Sequence, residues 1–219
     1  MKTIQEAVTA IINRTPFIEE ALYDKLINVS SLARIIKPQV EKMLKKDIKE
    51  GAIMMAINRM SPSSVLKIRK NIRKIALSSG DFITRSDLSD YTFKNSPTLI
   101  HKITQLLNDI GNDSDHFYTI SQGVFETSIV VSTKLKDKIE LLFKDEIMIW
   151  SMINLASITI KLPKSNIEQS GIYYFILKQL AWADIPVQEV ISTTHEITIV
   201  VKETDIKQAF SILMDMKLS

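Results

Sequence analysis

The 219-residue chain contains no cysteine, which excludes disulfides, cysteine-ligated metal and thiol nucleophiles. Histidine is almost as rare. His101, His116 and His195 stand far apart, and none has a carboxylate or a second histidine at ligand spacing, so no metal site is expected. With five glycines there is no Gly-rich phosphate loop and no Gly-Lys-Ser/Thr sequence. No apolar run approaches the ~18 residues of a membrane span, and Met1-Lys-Thr-Ile-Gln-Glu-Ala lacks the apolar core of a secretory signal. These absences lead to an expectation of a non-catalytic, cytoplasmic protein with no cofactor and no membrane partner.

What is present is an uneven charge. The net +3 divides into a basic front, where residues 1–80 hold 15 Lys and Arg against 7 Asp and Glu, and an acidic back, where residues 81–219 hold 13 against 18. A basic module favours polyanions, because neutralising phosphates releases counterions, although a set of ordinary solvated lysines gives the same count.

The front reads as short helices. Ala7, Val8, Ile11 and Ile12 share a face over residues 6–12; Thr15 and Pro16 start a second helix toward Leu26; Ser31 to Ile36 form a third, and Pro38 opens a fourth toward Lys46. A last helix is expected from Ile48 to Met60. Behind it, Val65, Ile68, Ile72, Ile75 and Ala76 form the stripe of a basic connector ending at Ser78-Ser-Gly80. The stretch Leu26-Ile-Asn-Val-Ser-Ser-Leu-Ala-Arg resembles the turn and second helix of bacterial winged-helix repressors, and Ala52-Ile-Met-Met-Ala-Ile-Asn-Arg-Met resembles the third. The resemblance implies DNA contacts from Lys45, Lys46, Lys49, Asn58 and Arg59, with phosphate contacts from Lys67, Arg69, Lys70, Arg73 and Lys74 on the connector. Against it, Ile53, Met54, Met55 and Ile57 make the last helix apolar enough for core or a dimer seam.

The back reads as strand, helix, strand, strand, helix, twice. Residues 156–162 give a leading strand, Ile172 to Leu180 a helix, the β-branched runs holding Val187 and Val190 and then Ile197 and Ile199 two strands, with Thr198 and Ser192-Thr193-Thr194 marking strand faces and a turn, and Ile206, Ala209, Phe210 and Leu213 a second helix. An earlier copy places Glu126-Thr-Ser-Ile-Val-Val against Glu196-Ile-Thr-Ile-Val-Val and Tyr118-Thr-Ile-Ser against Glu189-Val-Ile-Ser. In that copy, strands at residues 81–86 and 147–150 and helices at 98–110 and 136–143 complete the pattern.

This order is that of a ferredoxin-like unit. The segment Gly171 to Thr193, with His195-Glu-Ile-Thr-Ile-Val-Val, resembles the ACT domain, in particular the tandem ACT region at the end of aspartate kinases. The resemblance implies an α+β protein: an all-α, helix-turn-helix-like domain over 1–62, a connector over 63–80, and ferredoxin-like βαββαβ repeats over 81–153 and 154–219. It implies eight strands side by side in the tandem or a homodimer. It also implies a small-molecule effector, an amino acid, held by Asn166, Gln169, Ser170, Gly171 and Ile172 with Val187, Gln188 and Ile191 opposite. Where aspartate kinase tails commonly read Gly-Ile-Asn-Val, this chain has Asp184-Ile-Pro-Val187, so Asp184 joins the candidate site and a cationic ligand or an empty site comes into play. The corresponding turn of the first repeat, Asn95-Ser-Pro-Thr98, has no glycine and reads as a structural copy. No aspartate kinase catalytic motif is present in the chain. The functions left open are an amino-acid sensor coupled to DNA binding, a regulatory subunit that docks on an amino-acid biosynthetic enzyme, and an effector-free dimeric scaffold.

Overall fold

The computed structural model describes residues 3–60, 80–111, 116–168 and 170–218, and it divides into two units, Met1–Asn71 and Ile72–Ser219. Apart from Gly80, the expected connector lies outside the described residues, as do Lys67, Arg69, Lys70, Arg73, Lys74 and Gln169.

The first unit contains α1 (Ile4–Ile12), α2 (Pro16–Tyr23), α3 (Val29–Leu44) and α4 (Glu50–Asn58). A capping box starts α1: Glu6 N donates to Thr3 Oγ1 at 3.1 Å and Thr3 N to Glu6 Oε2 at 2.8 Å. Asn28 starts α3 by accepting from Ser31 N at 3.1 Å. The expected break at Pro38 does not occur, and α3 is one helix. A proline inside a helix removes one amide donor and crowds the carbonyl four residues back. Here Pro38 is on the solvent side, where water can satisfy that carbonyl, while Leu32, Ala33, Ile36 and Val40 hold both halves against the core. That core joins Ala7, Val8, Ile11 and Ile12 of α1 to the α3 stripe and to Ile53, Ala56 and Ile57 of α4. The helix expected to read bases thus spends its apolar face on packing.

The second unit is built on one antiparallel sheet of β1 (Phe82–Lys94), β2 (Tyr118–Gln122), β3 (Glu126–Ser132), β4 (Met148–Lys161), β5 (Val187–Ser192) and β6 (Glu196–Lys202), in the order β2-β3-β1-β4-β6-β5. Helices α5 (Leu99–Ile110), α6 (Lys136–Leu142) and α7 (Ile172–Trp182) lie between strands in sequence, and α8 (Ile206–Leu218) follows the last strand. Ile129, Val131, Ile197, Ile199 and Val201 alternate toward the helices, as half-buried strands require.

The expected repeat is present, with its two copies interlocked. β1 pairs with β3 from Leu88↔Ser132 to Lys94↔Glu126, and β4 pairs with β6 in the same register from Leu155↔Lys202 to Lys161↔Glu196. Glu126 and Glu196 are therefore equivalent positions, as their sequences suggest. The two hydroxyl bridges Thr92–Ser128, 3.1 Å, and Thr159–Thr198, 2.7 Å, occupy equivalent places. The expected strands at 147–150 and 156–162 are one strand, β4, and the strand expected at 81–86 continues to Lys94 as β1. Each bends where a residue takes a left-handed conformation, Asp87 at φ 60° and Asn154 at φ 59°. The start of β1 pairs with the end of β4, Phe82↔Ile160 to Arg85↔Ser157, and so supplies the fourth strand of the second repeat. Six strands thus fill the eight expected strand positions.

Leu88 and Leu155 face each other where the two repeats meet. Both are buried with Val130 and Val200 in a small apolar cluster on the sheet face away from the helix-side cores. A second adjustment concerns β5. Its register shifts between Val187 and Glu189, so Glu189, opposite Val200, matches Thr119, opposite Val130, and not Tyr118 as the sequence alignment had it. Gln188 is the extra residue of that bulge.

Candidate functional site

Each repeat has a turn between its first strand and first helix, and the two turns differ. In the first repeat the turn is Asn95 to Thr98, and its polar groups are satisfied from within the chain. Asn95 Nδ2 donates to Gly123 O at 2.9 Å, and its Oδ1 accepts from Thr127 Oγ1 at 2.7 Å. In front of α5 lies the carboxylate of Glu146, from the α6–β4 loop. It accepts from Ser96 Oγ at 2.6 Å and Thr98 Oγ1 at 2.7 Å, while Leu99 N donates to Ser96 Oγ at 3.1 Å. Lys102 Nζ stands 3.4 Å from the same carboxylate, whose side chain is only 3% exposed. The Ser96 and Thr98 hydroxyls hold the Glu146 carboxyl below its usual range, and Lys102 adds to the effect. The position an anion would take at the start of this helix is filled by the protein itself.

In the second repeat, among the described residues, no side-chain cap bond is made at the start of the corresponding helix. The turn is longer, with a 3₁₀ segment Lys164–Glu168 before α7. Gly171 is the N-cap of α7 at φ 100°, a conformation costly for any residue with a Cβ, and it offers no side chain to cap the first turn. Asn166 is 8% exposed, and its Oδ1 is buried with no hydrogen-bond partner, in contrast to Asn95. His195 Nδ1, in the β5–β6 turn, is likewise buried without a partner. Leu162 N donates to His195 O at 2.7 Å, and Tyr173 Oη and Ser192 Oγ are 2.6 Å apart, which ties this hairpin turn to the start of α7. An uncapped helix N-terminus supplies N–H donors to a carboxylate, while Asn166 Oδ1 is an acceptor suited to an ammonium group.

Of the residues expected at this site, the turn groups Asn166, Ser170, Gly171 and Ile172. Ile191 is near the same end through its neighbour Ser192. Asp184, Val187 and Gln188 are at the far end of α7, a helix of 11 residues and so about 16 Å long. One chain does not bring the two sets together. Tyr173, Ser192 and His195 join the turn residues here, and the sequence signals this only through the solitary His195 directly before a strand.

Of the residues expected to contact DNA, Lys45, Lys46, Lys49, Asn58 and Arg59 are all exposed. Lys45 is the left-handed C-cap of α3 at φ 54°, whereas Lys49 and Arg59 flank α4. They do not form one stripe. Among the described residues no cluster of metal-ligating side chains occurs, and no helix is long and apolar enough to cross a membrane.

No protein-family model and no curated protein matches the sequence. Among solved structures, the Clostridium acetobutylicum aspartate kinase is similar at 15% identity and a TM-score of 0.52, over 62% of this chain and 34% of that one. The aspartokinase alpha and beta subunits are similar at 12% identity and 0.52, over 65% of this chain and the whole of that one. The ligand-free regulatory subunit of aspartate kinase from Thermus thermophilus follows at 13% and 0.50, over 64% and 98%. The sheet unit has the ACT-type fold of aspartate kinase regulatory domains. The chain spans about a third of the length of the whole Clostridium enzyme but nearly all of the Thermus regulatory subunit, so the likeness belongs to the regulatory part.

Proposed function

We propose that the protein is a non-catalytic regulator whose second ACT-like repeat binds an amino acid at the start of α7. The observation that carries this reading is the contrast between the two turns: Glu146 and a satisfied Asn95 in the first, an uncapped Gly171 and an unpartnered Asn166 in the second. The α-carboxylate of the ligand would lie against the first amides of α7, and its ammonium group would donate to Asn166 Oδ1. Tyr173 and His195 would border its side chain. For Asp184, Val187 and Gln188 to meet the same ligand, a second copy of the chain would have to supply them, which agrees with a homodimer. The similarity to structures named as regulatory subunits supports the assignment to regulation.

A ligand that binds the native state raises the melting temperature by mass action, by about 2.7 kcal/mol of stability at one hundred times its Kd. Screening the twenty amino acids by thermal shift tests the reading. A selective rise that vanishes in Gly171→Val and weakens in Asn166→Ala supports it. No rise at millimolar concentration returns the fold to the role of an effector-free scaffold.

A further inference from the structure

The exposed face of α3 is a single stripe. Ser31, Arg34, Ile35, Pro38, Gln39 and Lys42 are all exposed at the three-to-four spacing of one helix face, and Ile35 is 70% exposed. Lys45 and Lys46 continue the cationic side past the C-terminus and are exposed as well. The acidic groups nearby are engaged elsewhere. Glu41 Oε1 accepts from Ile48 N at 3.1 Å and lies 3.5 Å from Lys37 Nζ, and Asp47 lies 3.7 Å from the same ammonium. The stripe therefore carries four cations and no acid.

We infer that this face of α3 is a binding surface for duplex DNA, seated in the major groove. A helix of 16 residues is about 24 Å long and, with its side chains, about 10–12 Å across, and the B-form major groove is about 12 Å wide. Arg34 and Lys42 lie one on each side of Gln39 and Pro38, placed for phosphates or guanine edges. Gln39 offers the amide pair that matches adenine, and Ile35 offers an aliphatic surface to a thymine methyl. Pro38 keeps the middle of the stripe low. The chemistry fits duplex DNA better than the alternatives. A-form RNA has a major groove too deep and narrow for side chains to read, and a protein-binding face would centre on aromatic anchors, which this stripe lacks. The surface is separate from α4, to which the sequence motif had pointed, and it gives the basic half of the chain a defined use.

The test is fluorescence anisotropy of the full-length protein with a labelled 30-base-pair duplex of mixed sequence between 50 and 200 mM salt, where each phosphate contact contributes about −0.9 to the log–log salt slope. The wild type binds at 50 mM. Arg34→Ala with Lys42→Ala makes the slope shallower by about 1.8, while Lys49→Ala with Arg59→Ala leaves it unchanged. All four side chains are exposed, so both variants keep the wild-type melting temperature, which is checked in parallel. Absence of duplex binding at 50 mM overturns the inference. So does a wild-type slope in the Arg34/Lys42 variant, tighter binding to a single-stranded RNA of equal length, or capture of a stoichiometric protein partner that the same variant releases.

Discussion

Asp90 is fully buried on β1, and neither carboxylate oxygen has a hydrogen-bond partner. Burial is the main cause that pushes its pKa from 3.8 up to about 7; the charge of Glu189 adds to the rise, and the neighbouring Tyr91 backbone offsets part of it. The folded protein thus holds a proton that the unfolded chain has already released at pH 5 or 6. When the folded state binds more protons than the unfolded state, stability falls as pH rises. The contribution is complete below pH 3.8 and declines up to about pH 7, a span of roughly three units, worth at most about 4 kcal/mol at 1.36 kcal/mol per unit. Against the ~5–15 kcal/mol typical of a domain, this is large. Asp90→Asn has no charge to bury, and the equivalent residue of the second repeat, Ser157, shows that the position accepts a neutral polar group. Both tryptophans, Trp150 and Trp182, belong to the sheet unit, so their fluorescence during urea unfolding at pH 4.5, 6, 7 and 8 reports on that unit. The difference between variant and wild type should shift in favour of the variant by 2–4 kcal/mol between pH 4.5 and 8. Parallel stability curves would refute the reasoning.

Glu146→Ala leaves Ser96, Thr98 and Lys102 without their shared acceptor and should cost about 1–3 kcal/mol; 50 mM acetate should restore part of the melting temperature in the variant and none in the wild type. Since the Glu146 pKa is lowered, its stabilisation is present above about pH 4.5 and is lost as acid protonates it, so wild type and variant should converge in melting temperature at low pH. Leu88→Ala and Leu155→Ala should cost similar amounts, about 2–5 kcal/mol each in urea unfolding, because the pair is buried where the repeats meet; Ile83→Ala, at an exposed position, should stay within about 0.5 kcal/mol. Gly171→Val should fold with a loss of about 1–2 kcal/mol from the left-handed conformation, read by the same unfolding assay.

Most elements of both units could be read from the sequence because their apolar residues recur at one clear period. The helix at 99–110 and the strands from Glu126 and Glu196 are found where alternation or three-to-four spacing placed them. Two features were hidden for physical reasons. Pro38 reads as a helix start, since sequence cannot say whether a missing donor faces core or solvent. The continuity of β1 and β4 was hidden because Asp87 and Asn154 look like loop residues; each serves as a left-handed bend within a strand. At the site, Gly171 was legible from its conformational freedom, whereas the role of Glu146 was not, because it comes from a loop 50 residues after Ser96. The one-residue bulge at Gln188 displaced the alignment of β5, a shift that alternation alone does not reveal.

The central claim is that one of two related turns is open to an amino acid and the other is filled by the chain itself. Saturation binding, measured by equilibrium dialysis with an amino acid that raises the melting temperature, tests it as moles bound per mole of chain. The account predicts one per chain in the wild type and none in Gly171→Val. Two per chain, binding that survives Gly171→Val, or no amino acid that binds at all would contradict it.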